Sequence, residues 1–514
     1  MKARVCFLAT LMAGSAVAQM IVRVRNAADP IYSFVVPGSL ASVFIESRSY
    51  PPGPVILKPS TTSVTIKGVP ASILGADGQG GVLVLVPTDT PLGSAEVKID
   101  YQFQGVNLTG TTSINCIHSL FGLFTLGFGY GPALARQGSD EQMNNLLHPA
   151  HPGDIVALWG TGMGDATPDQ VRVLLGGHAA QVSYAGPAPG LPGVDQVNFQ
   201  VPDDPAIPDG CSVALEVDVG EFRSNPSRMS KASAPGPCPS GIGLSVDQMA
   251  QLDAGGTVDD VSFVISSSIV LKRDGSFDRT EAFTAYNGIL NARVLGPGPY
   301  FANDIFYACG RPALMAALTD TDQFLPGGNY NIGPKIVLTG PSSSDNVPAH
   351  APWSYEFDPP ASTPATSPDG VSPSYFEPGT WQVVGEGNSA IGPYQSQLMV
   401  PPTIRVTNYS SLQSIDVTKD LLVQWDPAGY SSSHVVTLNV TIPPLLPIVC
   451  HAHASDGQIT VPANLIQFPN TTSAAFLISV EGPHNLVSVS LNDGTTLPSG
   501  FNYIFRESFT GKIQ

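Results

Sequence analysis

Glycine and proline are so frequent in this chain that long helices are excluded from its fold. They account for 52 and 48 of the 514 residues, well above the roughly 12% expected of the two together, and neither is well tolerated inside a helix. The stretches between them alternate apolar and polar residues, as at 95–101 and 213–219, which is typical of strands with one buried face. The sequence therefore predicts an all-β protein, with a short helix considered only at 248–252 or 280–286.

An internal repeat predicts tandem modules in the first half of the chain. A Pro-Gly pair at 37–38 and another at 152–153 each precede an apolar strand. Each copy then reaches a strand that ends in Val-Pro, at 86–87 and at 201–202, and closes with an alternating strand. Short strands at this spacing, separated by Gly and Pro turns, are typical of immunoglobulin-like β-sandwiches.

Composition shifts divide the rest of the chain. The turn-rich stretch 232–243 ends the repeat, the Ser/Thr/Pro-rich stretch 361–374 is expected to be a loop, and two prolines at 401–402 mark a further joint. The predicted organisation is a signal peptide at 1–18, sandwich modules at 19–117 and 118–240, a β-rich domain at 241–400 and a C-terminal immunoglobulin-like sandwich module at 401–514.

The N-terminus predicts export. Lys2 and Arg4 precede an apolar run at 5–12, and small residues follow up to Ala18, which is the order of a cleavable secretory signal. A buried N-terminal strand is the alternative, but it does not need the basic start. No later apolar stretch reaches the ~18–20 residues of a membrane helix. We therefore predict a mature chain that begins at Gln19, has no transmembrane segment, and is secreted, periplasmic or at the cell surface.

The charge of the chain argues against nucleic acid as a partner. The sequence has 41 acidic and 23 basic residues, a net charge of −18, and a phosphate backbone would be repelled. Only 12% of the residues are charged, against about 25% in ordinary soluble domains. Surface polarity must therefore come mainly from Ser, Thr, Asn and Gln.

Several short motifs resemble a large paralogous family of secreted acidobacterial proteins, whose module is similar to the IPT/TIG immunoglobulin-like fold. The matching stretches are 26–28 (Asn-Ala-Ala), the two Pro-Gly openings, 159–164 (Trp-Gly-Thr-Gly-Met-Gly), 176–180, 184–186 and 193–198. The resemblance is strongest between residues 20 and 240, and it implies a fold and an exported location but no active site. The first module departs from the pattern, because it has Phe44-Ile45-Glu46 where a glycine often follows the first strand.

Five cysteines remain after the signal peptide, and none forms a C-x-x-C pair, so a zinc site is not expected. Cys211 and Cys238 flank the last strand of the second module and its exit loop, and the family resemblance also implies cysteines at these two points. We predict that they form a disulfide, which would contribute about 3 kcal/mol. Cys309 and Cys450 are a further candidate pair, which would tie two modules together, and Cys116 is left over.

For each candidate catalytic or metal-binding motif, a structural explanation is favoured over a functional one. The glycines at 160, 162 and 164 lead into another strand rather than a helix, so a tight turn is favoured over a phosphate loop. The pairs His148/His151 and His451/His453 lack identifiable third ligands. Acidic clusters could hold calcium, but none has EF-hand spacing, so solvated turns are favoured. These clusters are Asp203, Asp204 and Asp209; Asp259 and Asp260; Asp274 and Asp278; and Asp320 and Asp322.

The sequence therefore predicts no catalytic site, no cofactor and no metal. Trp159, Trp381 and Trp425 lie in apolar strands and are expected to fill cores, whereas Trp353 is expected in a loop. The predicted function is a secreted or cell-surface structural or binding protein. Its ligand would be a polysaccharide or a protein, contacted by exposed aromatic and amide side chains. The alternative is an extracellular hydrolase acting on polysaccharide, with a site in residues 245–400.

Overall fold

A computed structural model describes most of the chain and divides it into two compact units, 1–27 with 33–118, and 28–32 with 119–514. The described residues are 20–29, 34–47, 53–103, 105–127, 129, 131–138, 141–220, 222–225, 227–272, 277–291, 309–310, 331–350, 354–359, 374–431, 434–442, 448–466, 473–482 and 485–513. The predicted signal peptide, Trp353, Asp274, Asp320, Asp322 and residues 361–373 of the predicted loop lie outside them. Strands account for 57% of the structure and helices for 6%, which confirms the all-β prediction.

The first unit is a sandwich of two sheets. Its described strands, β1 to β10, are Met20–Asn26, Phe34–Val35, Leu40–Ser47, Gly53–Val55, Ser63–Ile66, Val69–Pro70, Ser72–Ala76, Val82–Leu85, Gly93–Phe103 and Val106–Cys116. One sheet has the order β1-β3-β8-β7 with β4 on β3, and the other has the order β2-β10-β9-β5-β6. Alternate residues such as Val43, Val84 and Val97 are fully buried between the sheets, which is the packing expected of an immunoglobulin-like module.

The second module repeats this plan. Its described strands, β11 to β19, are Gly122–Leu123, Ala135–Gln137, Ile155–Thr161, Val171–Leu175, His178–Pro187, Asp195–Gln200, Gly210–Val219, Phe222–Arg223 and Ser227–Lys231. They follow the order β11-β13-β16-β15-β14-β17-β18, with β12 on β13 and β19 on β17. Val156, Val173, Phe199 and Val217 are fully buried in its core.

Backbone hydrogen bonds show that the two modules are structural copies. Gly38 donates its backbone N–H to the carbonyl of Val86 (3.0 Å), and Gly153 does the same to Val201 (2.9 Å). The hairpins β5–β6 and β14–β15 turn through two residues with positive φ, at 67–68 and at 176–177, as a type I′ turn requires. The repeat seen in the sequence is therefore a repeat of turns and strand register.

The remaining residues form one large sheet with short helices. In chain order the described elements are α1 (Val246–Asp253), β20 (Thr257–Leu271), β21 (Phe277–Asn291), β22 (Cys309–Gly310), β23 (Lys335–Thr339), β24 (Ser344–His350), β25 (Ser354–Phe357), β26 (Gly379–Gly385), β27 (Tyr394–Val400), α2 (Tyr409–Leu412), β28 (Ser414–Ile415), β29 (Leu421–Gln424), β30 (Val435–Thr441), β31 (Ile448–His453), β32 (Gln458–Val461), α3 (Ala463–Ile466), β33 (Ser473–Glu481), β34 (Asn485–Leu486), β35 (Val489–Ser490), β36 (Thr496–Leu497) and β37 (Ser499–Ile513). Fourteen of the strands belong to a single sheet.

Strands from the two predicted C-terminal ranges pair directly. β20 and β37 run parallel from Val261 opposite Ser499 to Val270 opposite Ser508, and one hydrophobic cluster includes Phe263, Trp381 and Trp425. Residue 400 is therefore not a boundary between sheets or between cores. The two tryptophans are buried, as predicted.

Of the two helices considered, only the first exists. Ser245 caps α1 and forms a capping box with Gln248, so the prediction at 248–252 is confirmed. The prediction of a helix at 280–286 is wrong, because these residues lie in β21, which pairs with β20 along its whole length. The pairing partner, which lies outside any local sequence window, decides the conformation there. In the described residues, no helix is long and apolar enough to cross a membrane.

A small core joins the second module to the large sheet. It contains the predicted disulfide between Cys211 and Cys238, with Leu252 of α1 and Leu290 of β21. The carboxylate of Asp253 accepts hydrogen bonds from the backbone N–H groups of two consecutive residues in the second module, both at 3.1 Å. Elsewhere, Cys450 is disulfide-bonded and lies opposite Cys309 in the β22–β31 pair, while Cys116 is a buried free thiol.

Candidate functional site

The outward face of the sheet in the second module carries the most suggestive group of side chains. Along β13, Val156 and Leu158 point into the core, so alternation directs Ile155, Ala157 and Trp159 outward. Trp159 is half-buried, and the prediction that it fills the core is wrong. The run Ile155–Thr161 is apolar at nearly every position, so the sequence does not reveal which alternate residues face inward.

Amide and phenol side chains lie next to Trp159 on this face. In the register of β16, Gln196 is opposite Trp159 and Asn198 is opposite Ala157. Gln196 Nε2 donates a hydrogen bond to Asn198 Oδ1 (2.8 Å). On β15, Tyr184 is opposite Asn198, and all three side chains are half-buried.

Arg136 completes the group from the neighbouring strand. It pairs with Ala157 in the β12–β13 register, is exposed, and holds its guanidinium 5.8 Å from the centre of the Trp159 ring. Such a distance is within cation–π range. We define the Trp159 face as Arg136, Trp159, Tyr184, Gln196 and Asn198.

The glycine-rich turn after Trp159 fixes one end of this face. Asp195 Oδ2 accepts a hydrogen bond from the backbone N–H of Met163 (2.8 Å), and Thr161 Oγ1 donates to the carbonyl of Gly193 (2.5 Å). Gly162 and Gly164 have φ values of 94° and 68°, which favour glycine. Burial raises the pKa of Asp195 to about 6, although it accepts two backbone hydrogen bonds. The turn prediction is confirmed, since a strand rather than a long helix follows.

The histidines lie in separate environments. The backbone N–H of His151 donates to Asp154 Oδ2 (2.8 Å), and His451 Nδ1 lies 3.0 Å from Thr437 Oγ1 on the neighbouring strand β30. Among the described residues, no three His, Cys, Asp or Glu side chains are grouped as a metal ion would require. The pattern in the sequence therefore corresponds to turn and strand contacts.

Several acidic residues of the predicted clusters are engaged by basic side chains. Asp204 lies 2.9 Å from His178 Nδ1, and Asp209 lies 2.7 Å from the buried Lys231 Nζ. Asp278 lies 2.8 Å from Lys272 Nζ. These ion pairs hold the loops and do not direct carboxylates toward one point.

Two carboxylates within 245–400 bond to the same aromatic residue, one to its backbone and one to its hydroxyl. Glu281 accepts hydrogen bonds from Ser374 Oγ and from the backbone N–H of Tyr375 (2.9 Å), and the Tyr375 hydroxyl donates to Asp345. Burial raises the pKa of Tyr375, and Asp345 adds to that shift. Each carboxylate therefore bonds to the segment around Tyr375.

A buried charged cluster lies on the other sheet of the second module. Arg223 Nε is 3.1 Å from Glu216 Oε2 and 3.2 Å from Asp218 Oδ1, and Arg172 Nη2 is 2.5 Å from Asp218 Oδ2. Burial raises the pKa of Glu216 to about 8, against the opposing effect of Arg223. Burial also lowers the pKa of His451 to about 4, with a further contribution from Arg223. Arg223 of the second module and His451 of the large sheet are therefore near enough to interact electrostatically.

The sequence did not predict the Trp159 face, although four of its five residues lie in stretches named above. Trp159, Tyr184, Gln196 and Asn198 all belong to the stretches that carry the family resemblance. Polar and aromatic residues that recur in such motifs are not needed for a core, and that was the available signal. Their convergence depends on the order of β13, β16 and β15 in the sheet, which local patterns do not specify.

Comparisons with known proteins add little to this geometry. No family model and no curated protein matches the chain. Solved structures that match include a Bacteroides ovatus glucan-utilisation protein, SGBP-B, in complex with a mixed-linkage heptasaccharide (8% identity, 86% of this chain and 90% of that one, TM-score 0.15). Another is domains 5–6 of the S-layer protein SbsC (13% identity, 42% of this chain and 100% of that one, TM-score 0.21). A third is immunoglobulin domains 1–4 of Sidekick-1 (9% identity, 96% of this chain and 99% of that one, TM-score 0.14). At TM-scores this low, the similarities carry no argument about function or ligand.

Proposed function

We propose that this is an exported protein, secreted or held at the cell surface, that binds polysaccharide through the Trp159 face of its second module. The observation that carries the proposal is the outward, half-buried Trp159 beside Gln196 and Asn198 on a rigid sheet. An indole ring supplies a flat apolar surface for a sugar ring, and amides can both donate to and accept from hydroxyl groups. The other sandwiches then serve as spacers.

Charge favours a neutral glycan over an anionic one. The chain carries a net charge of −18, which repels polyanions at long range. The one cationic group of the Trp159 face, Arg136, lies beside the indole ring and can donate several hydrogen bonds to neutral hydroxyls. A neutral polysaccharide is therefore the ligand class with the smallest electrostatic cost.

The first prediction compares equivalent aromatic residues in the two modules. Trp159→Ala should weaken binding to insoluble glycan or cell-wall preparations by about tenfold to a hundredfold, because stacking area is lost at the centre of the site. Phe44→Ala is the matched control, since Phe44 is the half-buried residue at the same register position of the first module and should leave binding unchanged. Equal loss in both variants, or retained binding by Trp159→Ala, would contradict the proposed site.

Export and the lack of catalysis are parts of the same proposal with separate tests. N-terminal sequencing of protein recovered outside the cytoplasm should find Gln19 first, and retention of Met1 would contradict cleavage.

The purified protein should release no product from a panel of polysaccharide, ester and peptide substrates. Product release that is abolished by a single carboxylate or histidine substitution, with the fold intact, would instead support the hydrolase in 245–400.

A further inference from the structure

The last strand of the first module has a long edge along which no described strand is paired. β10 pairs with β9 over its whole length, from Val106 opposite Phe103 to Cys116 opposite Gly93, without a bulge. On its other edge, only Asn115 and Cys116 pair with β2. Residues 106–114 therefore present backbone N–H and C=O groups outward, as an edge strand does.

Other edges of the same module carry features that prevent strand addition. β1 bears Arg23 and Arg25 on its edge, β7 has a bulge between Ile73 and Gly75, and β6 is a two-residue strand that contains Pro70. Charges, bulges, prolines and short strands are the usual ways to block pairing. β10 has no charged residue and no proline, so its edge lacks these features.

The equivalent edge in the second module is covered by the chain itself. Ala133 N–H donates to the carbonyl of Arg228 (2.8 Å), and Ala150 N–H donates to that of Ser230 (2.9 Å). The Asn144 side chain also bonds both the N–H and the carbonyl of Ser230, each at 2.8 Å. The Ala150 contact corresponds to the pairing of Val35 with Cys116 in the first module. The difference lies at Arg228, because the corresponding residue of β10, Ser113, has no described strand paired with it on that edge.

We propose that a second copy of this chain covers the edge, with β10 paired antiparallel to β10 of the other copy and Gly110 opposite Gly110. A two-fold axis at Gly110 makes the contact self-complementary. It sets Val106 opposite Ile114 and Thr109 opposite Thr111. Asn107 then meets Ser113 and Leu108 meets Thr112. One apolar pair, the polar Thr and Asn/Ser pairs and the absence of like charges are compatible with antiparallel pairing.

Charge does not oppose this contact. Residues 19–118 contain six basic and six acidic residues, so the negative charge of the chain lies elsewhere. On the inner side of the strand, a Cβ added at Gly110 would lie 2.5 Å from Val22 Cγ2, so Gly110 itself is unsuitable for a test. A single strand edge buries less than the ~1,200 Å² of a standard interface, and we expect a dissociation constant of roughly 1–100 µM.

Paired substitutions at Thr109 and Thr111 test the contact. Within one chain, Thr109 is opposite Asp100 and Thr111 is opposite Lys98, so T109K/T111E forms favourable pairs both inside the module and with the second copy. T109K/T111K shares the first change but sets lysines opposite each other across the two-fold axis. Sedimentation equilibrium of the purified full chain should show a dimer that T109K/T111E strengthens and T109K/T111K weakens, with dissociation constants about thirtyfold apart.

The controls separate pairing from folding and from general charge. T109K/T111K makes the chain less negative, so reduced overall repulsion would strengthen association, which is the opposite of the expected result. Thermal unfolding of both variants verifies the fold, and T109K/T111E alone keeps the test valid if the other variant does not fold. A chain that is monomeric up to about 500 µM, or a dimer equally stable in both variants, overturns the proposal.

Cysteine pairs test the register. Under oxidising conditions, an equal mixture of Thr109→Cys and Thr111→Cys chains should cross-link more than either variant alone, because those two positions are opposite each other in the proposed pairing. Equal cross-linking in the mixture and in the single variants would overturn the Gly110 register.

Discussion

The two repeated modules hold an arginine over an aromatic ring at the same register position, yet only one of them carries the proposed binding face. In the first module Arg25 is opposite Ser42 and lies 4.3 Å from the centre of the Phe44 ring. In the second module, Arg136 is opposite Ala157, and its guanidinium lies 5.8 Å from the centre of the Trp159 ring. The backbone frame is shared, so the difference lies in the side chains around each ring.

Those neighbours differ in chemistry. The positions that hold Tyr184, Gln196 and Asn198 in the second module hold Gly75, Gly81 and Leu83 in the first. The first arginine is also held by its own module, since Arg25 Nη2 donates to Gln79 Oε1 (2.5 Å) and burial lowers its pKa against the opposing effect of Asp77 and Glu46. A duplicated fold can thus keep a ring and a cation in place while only one copy surrounds them with hydrogen-bonding groups.

The largest expected effect concerns the residue after each ring, where the two modules should lose similar stability for opposite reasons. A Cβ at Gly160 would lie 2.3 Å from the Gly122 carbonyl oxygen and 2.4 Å from Phe121 Cζ, so Gly160→Ala should lower the free energy of unfolding of the second module by about 3 kcal/mol through overpacking. Ile45 occupies the equivalent position and is fully buried, so Ile45→Ala should cost the first module about 3 kcal/mol by leaving a cavity. Hydrogen exchange on peptides from each module under native conditions measures both. A neutral Gly160→Ala would mean that Phe121 does not fill the space that Ile45 fills.

The pH dependence should separate the two regions by a smaller amount. The lowered pKa of His451, about 4, means that unfolded chains bind more protons between about pH 4 and 6.5, so stability is lost as the pH falls through that range. The raised pKa of Glu216, about 8, means that stability is lost as the pH rises from about 4.5 to 8. The two effects have opposite signs between about pH 4.5 and 6.5, so they partly cancel there for the region that contains the second module and the large sheet.

Single substitutions assign these slopes. His451→Gln should remove the contribution of His451 and Glu216→Gln that of Glu216, as measured by denaturant unfolding at a series of pH values. The slope from Asp195, whose pKa is raised to about 6, should remain in both variants. The first module is the internal control, because its shifted groups titrate outside this range: Arg25, Asp100, Tyr101 and Cys116. Equal pH slopes in both regions would show that the buried cluster is not their cause.

The smallest expected difference is between the two arginines. Arg25→Gln should destabilise the first module by about 1 kcal/mol, since it removes a partly buried group bonded to Gln79. Arg136→Gln should change stability by less than about 0.5 kcal/mol, because Arg136 is exposed. Chemical denaturation of both variants provides the measurement. A larger loss for Arg136→Gln would indicate that the guanidinium supports the sheet rather than a ligand.

Local patterns were sufficient for the parts of the fold that depend on turns and alternation. The Pro-Gly openings and the Val-Pro strand ends located both modules, and the short helix considered at 248–252 lies within α1. Residues 280–286 were misassigned because their conformation depends on pairing with β20. Trp159 was misassigned because β13 is apolar on both faces. In each case the missing information was which strand lies alongside, a property of the whole sheet.

The parallel pairing of β20 with β37 also has a consequence for the order of folding. Val261 cannot pair with Ser499 until nearly the whole chain has been synthesised. Contacts between residues this far apart in the sequence form slowly during folding. The centre of the large sheet must therefore assemble last, while the first two modules can fold from their own residues. Until β37 pairs with β20, the apolar faces of β20 and β21 are exposed. We expect the chain to be most prone to aggregation during this interval.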